Sequence, residues 1–185
     1  MRISIALGLM AIAGCSATGT PFKDHPAHKE PVPAHTSRII VYRLDRAQNS
    51  TAVAKLKMDN APVGDLREDG FLARDVAPGA HTLNVDLPLE PGTCDLRVEI
   101  ADGETDYFLV APRVANAVAK TPGTIAQVFT DIFVPGVAPF LLGEAAIQAG
   151  AALESASRKC GGPFSMVRVV PTAAEAMLLE LRESK

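Results

Sequence analysis

From Arg38 onward the chain reverses direction about every ten residues, and that rhythm constrains the fold more than any other feature of the sequence. Ile39, Val41 and Leu44 alternate with Ile40, Tyr42 and Arg43 in a β-rich run, and a period of two puts alternate residues on opposite faces of a strand. Residues 52–58 form the next strand. Asp59-Asn60 then supplies a turn pair whose short polar side chains tolerate positive φ, and residues 62–66 return as the partner of a hairpin. Glu68-Asp69-Gly70 turns the chain into a strand from Phe71 to Val76. At Pro78-Gly79, proline presets the first central position of a type II turn and glycine takes the positive φ of the second. His81, Leu83, Val85 and Leu87 follow, alternating with Thr82, Asn84 and Asp86. Pro91-Gly92 and Asp102-Gly103 bracket a strand at Leu96–Ile100, and Tyr107–Val110 comes next. A last strand at Phe164–Val170 precedes a helix from Thr172 to Glu183, with Thr172-Ala173-Ala174-Glu175 as its capping box and Met177, Leu178 and Leu181 as its buried stripe. The pattern predicts a mainly β chain, a small β-sandwich of about 7–8 strands with a C-terminal helix.

The N-terminus reads as an address. Arg2 precedes an apolar run from Ile3 to Ile12, which leads into Ala13-Gly14-Cys15. About ten apolar residues are too few for a helix to cross roughly 30 Å of hydrocarbon, so residues 1–14 read as a signal peptide that is removed. Ile12-Ala13-Gly14-Cys15 resembles the lipobox of bacterial lipoproteins. The resemblance implies that Cys15 carries a diacylglycerol on its thiol and becomes the first residue of the mature chain. Each buried CH₂ of an acyl chain contributes ~0.8 kcal/mol, enough for a multiply acylated Cys15 to hold the protein at a membrane. Ser16 stands where many lipoproteins of the inner membrane carry Asp, which implies the outer membrane, facing the periplasm.

Between Cys15 and Ser37 lie Pro21, Pro26, Pro31 and Pro33, with His25, His28 and His35 among them. Such a stretch offers little apolar surface to offset its ordering entropy and predicts a flexible tether over 15–37, with the folded domain at 38–185. Neutral imidazoles bind borderline metals. No Cys, Asp or Glu completes a regular ligand spacing, however, and the favoured reading is a solvated spacer with no metal or cofactor.

The domain is interrupted at about 112–163 by an apolar insertion. Ile125, Val128, Phe129, Ile132 and Phe133 recur at helical spacing, opposite Gln127, Thr130 and Asp131, and Pro135-Gly136 ends that run. A second helical run covers Pro139 to Lys159, and between Ile132 and Leu153 the only charge is Glu144. The expected hairpin, 121–159, has three uses open to it: packing on the sandwich, docking an envelope partner or a second copy, or entering the bilayer. Ile125, Phe129, Phe133, Phe140 and Leu141 would form its docking surface. Cys94 and Cys160 flank the insertion, and an even pair of cysteines in an oxidising compartment predicts a disulfide between them.

Val41-Tyr42-Arg43, the hairpin Met58-Asp59-Asn60-Ala61-Pro62-Val63-Gly64, Ala77-Pro78-Gly79-Ala80-His81-Thr82 and Tyr107-Phe108 come in a telling order. They resemble a family of small bacterial lipoproteins known only as a domain of unknown function, and also the carbohydrate-binding-like and PEGA-type sandwich modules. The likeness spans about 38–111 and resumes at 164–183. Asn60 stands where that pattern has Gly, and Phe108 where it has a second Tyr. The resemblance implies a sandwich fold and a lipoprotein address, with no catalytic residues. His81 is read as a structural imidazole satisfying a loop carbonyl, the alternative being a functional one beside Arg43 or Asp75. Arg43 is read as a strand-end ion-pair partner, the alternative being an anion site.

With 18 Lys+Arg against 21 Asp+Glu and no basic run, the chain lacks the electrostatic footprint of a nucleic-acid binder. Asp65, Glu68, Asp69 and Asp75 crowd one hairpin region, where solvated carboxylates are expected, and acid–base chemistry there is the minor reading. The expectation is a lipid-anchored envelope protein that binds or scaffolds and is not an enzyme. The alternative is a module that contacts the membrane or itself through 121–159. The mean hydropathy of +0.16 follows from the signal and the insertion, which lie outside the predicted sandwich.

Overall fold

A computed structural model describes residues 16–44, 52–113 and 160–184. In them β1 (Ser37–Arg43), β4 (Gly70–Val76), β7 (Thr105–Pro112), β8 (Phe164–Val169) and β9 (Arg182–Glu183) form one sheet, ordered β8-β7-β1-β4-β9. The second sheet, ordered β3-β2-β5-β6, consists of β2 (Ala54–Met58), β3 (Ala61–Leu66), β5 (Gly79–Asp86) and β6 (Thr93–Ile100). Two α-helices accompany them, α1 (Pro26–Lys29) and α2 (Pro171–Leu178). The second sheet is antiparallel throughout. The first is mixed, because β1 pairs antiparallel with β4 and parallel with β7.

The turns behave as their residues require. Asp59 and Asn60 take φ of 49° and 66°, and positive φ at both central positions gives the type I′ geometry whose twist suits a two-residue hairpin. Gly79 has φ of 129°. β1 is buried along its whole length, because the first sheet is covered on both faces. Ile39 and Val41 meet Leu56, Leu83, Val85 and Phe108 between the sheets. Ile40, Tyr42 and Leu44 face the other way, among Phe22, Phe71, Leu109, Ala174 and Leu178. Leu44 therefore lies on the Ile40 face and Arg43 on the inter-sheet face, the reverse of the sequence expectation, since the alternation runs on unbroken to Leu44.

The expected tether is instead a packed strap. Ser16 bridges Glu68, the Ala17 N–H donates to the Glu68 carbonyl at 2.9 Å, and the Gly19 N–H donates to the Glu183 carbonyl at 3.0 Å. Phe22 is only 1% exposed and stands edge-on to Phe71 with ring centroids 5.2 Å apart. Further along, the Arg38 guanidinium donates to the carbonyls of Ala27 at 3.1 Å and Glu30 at 2.8 Å while pairing with Asp75 at 2.7 Å. One buried aromatic ring and a run of backbone hydrogen bonds overcome the ordering entropy that the Pro-rich composition had suggested would win.

The C-terminal helix also differs from expectation. It ends at Leu178 rather than Glu183, and Arg182–Glu183 becomes β9, a ninth strand alongside Gly70 and Phe71. Pro171 occupies the first helical turn with Val170 as N-cap, so the helix begins too early for Thr172 to cap it. The Glu175 carboxylate accepts a hydrogen bond from the Tyr107 hydroxyl at 3.0 Å. The helical hairpin expected at 121–159 lies outside the described residues.

The strand registers define two ends of the sandwich. One end gathers Ser16, the turns at 67–69 and 87–92, the end of β7 at Pro112 and the start of β8 at Phe164. The opposite end carries the Asp59-Asn60 turn, the 77–78 link, the Asp102-Gly103 turn and the start of β1.

Candidate functional site

At the Ser16 end, Arg43 is the largest fully buried side chain among the described residues. Its guanidinium donates to the Ala52 carbonyl, lies 5.0 Å from the centroid of the Phe164 ring, and has the buried Glu68 carboxylate 3.9 Å away. A planar cation with an apolar face suits this position between the sheets, since it stacks on an aromatic ring while its edges reach acceptors. Arg43 is thus an ion-pair partner, as its place at a strand end suggested. Its partner Glu68 and the covering Phe164 were not legible, because both arrive from distant turns and strands.

At the same end Cys94 and Cys160 stand with Cα atoms 4.4 Å apart and their sulfurs at bonding distance. Gly92, with φ of 88°, allows the backbone of β6 to approach Gly161 and Gly162, where any Cβ would collide. The close approach brings the two cysteines together across 66 residues of sequence.

At the opposite end, His81 pairs with Asp59 and not with Arg43 or Asp75. Its Nδ1 lies 2.6 Å from an Asp59 carboxylate oxygen and its Nε2 lies 2.8 Å from the Ala77 carbonyl. The other Asp59 oxygen accepts the Thr82 N–H at 2.8 Å. Two acceptors facing one ring favour the imidazolium, which alone has two N–H groups. The His81 pKa is raised, chiefly by the hydrogen bond to Asp59, and that of Asp59 is lowered, chiefly by His81. The adjacency follows from the β2–β5 register, which sets Met58 opposite Leu83 and so places the next turn residue beside His81.

This pair gives a defined pH dependence. A raised His81 pKa stabilises the fold fully below the ordinary histidine value of about 6.5, and the effect fades as pH rises through the folded-state value. A depressed Asp59 pKa acts above the ordinary carboxylate value of about 3.9 and is lost as pH falls through its folded-state value. His81→Gln is expected to cost ~1 kcal/mol at pH 5.5, kept small by the exposed carboxylate, and less than half of that at pH 9. Urea midpoints at the two pH values check this; equal losses would show that charge plays no part.

Among the crowded carboxylates, Asp65 pairs with Lys55 at 2.6 Å, Asp75 with Arg38 at 2.7 Å, and Glu68 with Arg43. The tether histidines are also placed. His25 caps α1 by accepting the Ala27 N–H at 3.0 Å and packs on Phe71, while His28 packs on Phe22. Among the described residues no group of three or more His, Cys, Asp or Glu is arranged to hold a metal ion. Cys15, Ile125, Phe129, Phe133, Phe140 and Leu141 lie outside the described residues. No helix among the described residues is long and apolar enough to cross a membrane.

The chain is thus mainly β, two facing sheets with a C-terminal helix. No protein-family model matches it, and no curated protein matches it.

Proposed function

We propose that this chain is a lipid-anchored protein of the bacterial envelope that acts as a binding or scaffolding module and not as an enzyme. The observation that carries the reading is Ile12-Ala13-Gly14-Cys15, with its likeness to a lipobox, placed directly before a folded domain that begins at Ser16. The polar side chains of the sandwich support it. Arg38, Arg43, Lys55, Asp59, Asp65, Asp75 and His81 are bonded to one another or to backbone, and they hold strands and strap together.

Ser16 after the lipidated Cys favours the outer membrane, with the domain in the periplasm. Growth with an alkyne-bearing palmitate should label the protein, and Cys15→Ser should abolish the label and release the protein from membranes. An unlabelled wild-type chain with an unmodified Cys15 peptide would overturn the reading.

In that compartment Cys94 and Cys160 are bonded. Cys94→Ser combined with Cys160→Ser is expected to cost about 2–4 kcal/mol of stability. Denaturant midpoints with and without reductant check this: wild type should fall to the level of the double variant when reduced, and the variant should not respond.

A further inference from the structure

We infer that the Ser16 end of the sandwich is a membrane-contacting surface, with Leu89 as the side chain that enters the lipid. The inference rests on acylation of Cys15. Consecutive Cα atoms are ~3.8 Å apart, so Cys15 sits one residue from a strap already paired with Glu68. There is no free spacer between acyl chains and fold. The lipid therefore holds the 67–69 turn, and with it this whole end of the sandwich, against the headgroups.

Leu89 supplies the second observation. It lies in the 87–92 turn between β5 and β6, at the same end, and is the most exposed large hydrophobic residue among those described, at 105%. Its φ of 72° is uncommon for a bulky residue and aims it outward from a turn held down by Gly92 against Gly161 and Gly162. An isolated exposed leucine needs no explanation, but one at the tip of the end that carries a lipid anchor has an apolar phase within reach. The neighbouring Glu90 is exposed and stays in the headgroup layer. The opposite end carries His81, Asp59 and Asp102 and faces water.

The chain contains no Trp, so a single introduced one reports its own surroundings. Leu89→Trp and Asp102→Trp, both at exposed positions, are made in the acylated protein. Each is reconstituted in vesicles of phosphatidylethanolamine and phosphatidylglycerol with brominated acyl chains. The expected result is about a twofold loss of fluorescence at position 89 and none at 102. No quenching at 89, or equal quenching at both positions, overturns the inference. The mass of the N-terminal peptide reads acylation separately. If Cys15 is unmodified, the anchoring proposal fails by itself, and coupling a maleimide phospholipid to the Cys15 thiol still tests the orientation by the same quenching.

Discussion

Arg43→Met should lower stability by about 3–5 kcal/mol, chiefly through the broken charge pair and only in lesser part through lost side-chain bulk. Arg43 is 1% exposed and Glu68 is 5% exposed, so both charges have left water. Removing the cation takes the Arg43 charge away from a buried carboxylate, and also removes the donor to the Ala52 carbonyl. Breaking one half of a buried pair is costly, whereas replacing both halves is often nearly neutral. Arg43→Met with Glu68→Gln should therefore recover more than half of the loss. Arg43→Lys should remain well below wild type, because an ammonium lacks the flat face that lies over Phe164. Urea midpoints of the four proteins decide the matter. A single variant as stable as wild type would mean that Glu68 is not left as an uncompensated buried charge, and a double variant as stable as wild type would mean that the pair offsets its own desolvation and no more.

The sandwich was largely legible in the sequence for a physical reason. A strand with one buried face writes a period of two, as Leu83 and Val85 do against Thr82 and Asn84, and its turns demand residues that accept positive φ, as Asn60 and Gly79 do. β1 was legible as a strand but its facing was not, since both of its faces are buried and Ile40 is as apolar as Ile39. The pairing of His81 with Asp59 was hidden because it depends on register between strands, and β9 because Arg182 and Glu183 carry no apolar alternation. The capping box at Thr172 misled for a local reason: Pro171, which suits the first turn, starts the helix before that box can form. For the strap, composition argued for disorder while the ordering groups were mostly backbone. Those pairings, Ala17 to Glu68 and Gly19 to Glu183, leave no mark in side-chain statistics.

Phe22→Ala tests how much of the strap's order depends on its single aromatic anchor. Truncating a buried Phe costs about 3–5 kcal/mol, and here the loss falls on a segment attached to the sheet by few other apolar contacts. The cheapest response is for the strap to lift, while the inter-sheet core of Ile39, Val41, Leu56 and Phe108 stays closed. At 1.4 kcal/mol per tenfold, that loss corresponds to a rise in the open population of about a hundredfold to a few thousandfold. Lys23 and Lys29 are exposed on the strap, so trypsin reads that population directly. Cleavage at these two sites should accelerate by about that factor under conditions where reclosing outpaces cleavage. Arg38→Gln should act in the same direction but less, because it frees the Ala27 and Glu30 carbonyls without opening the hydrophobic contact. If Phe22→Ala instead unfolds strap and sandwich together at one denaturant midpoint, the strap belongs to the cooperative core. Chain ordered in that way cannot act as a spacer, and the distance from Cys15 to the sandwich is then set by the fold alone.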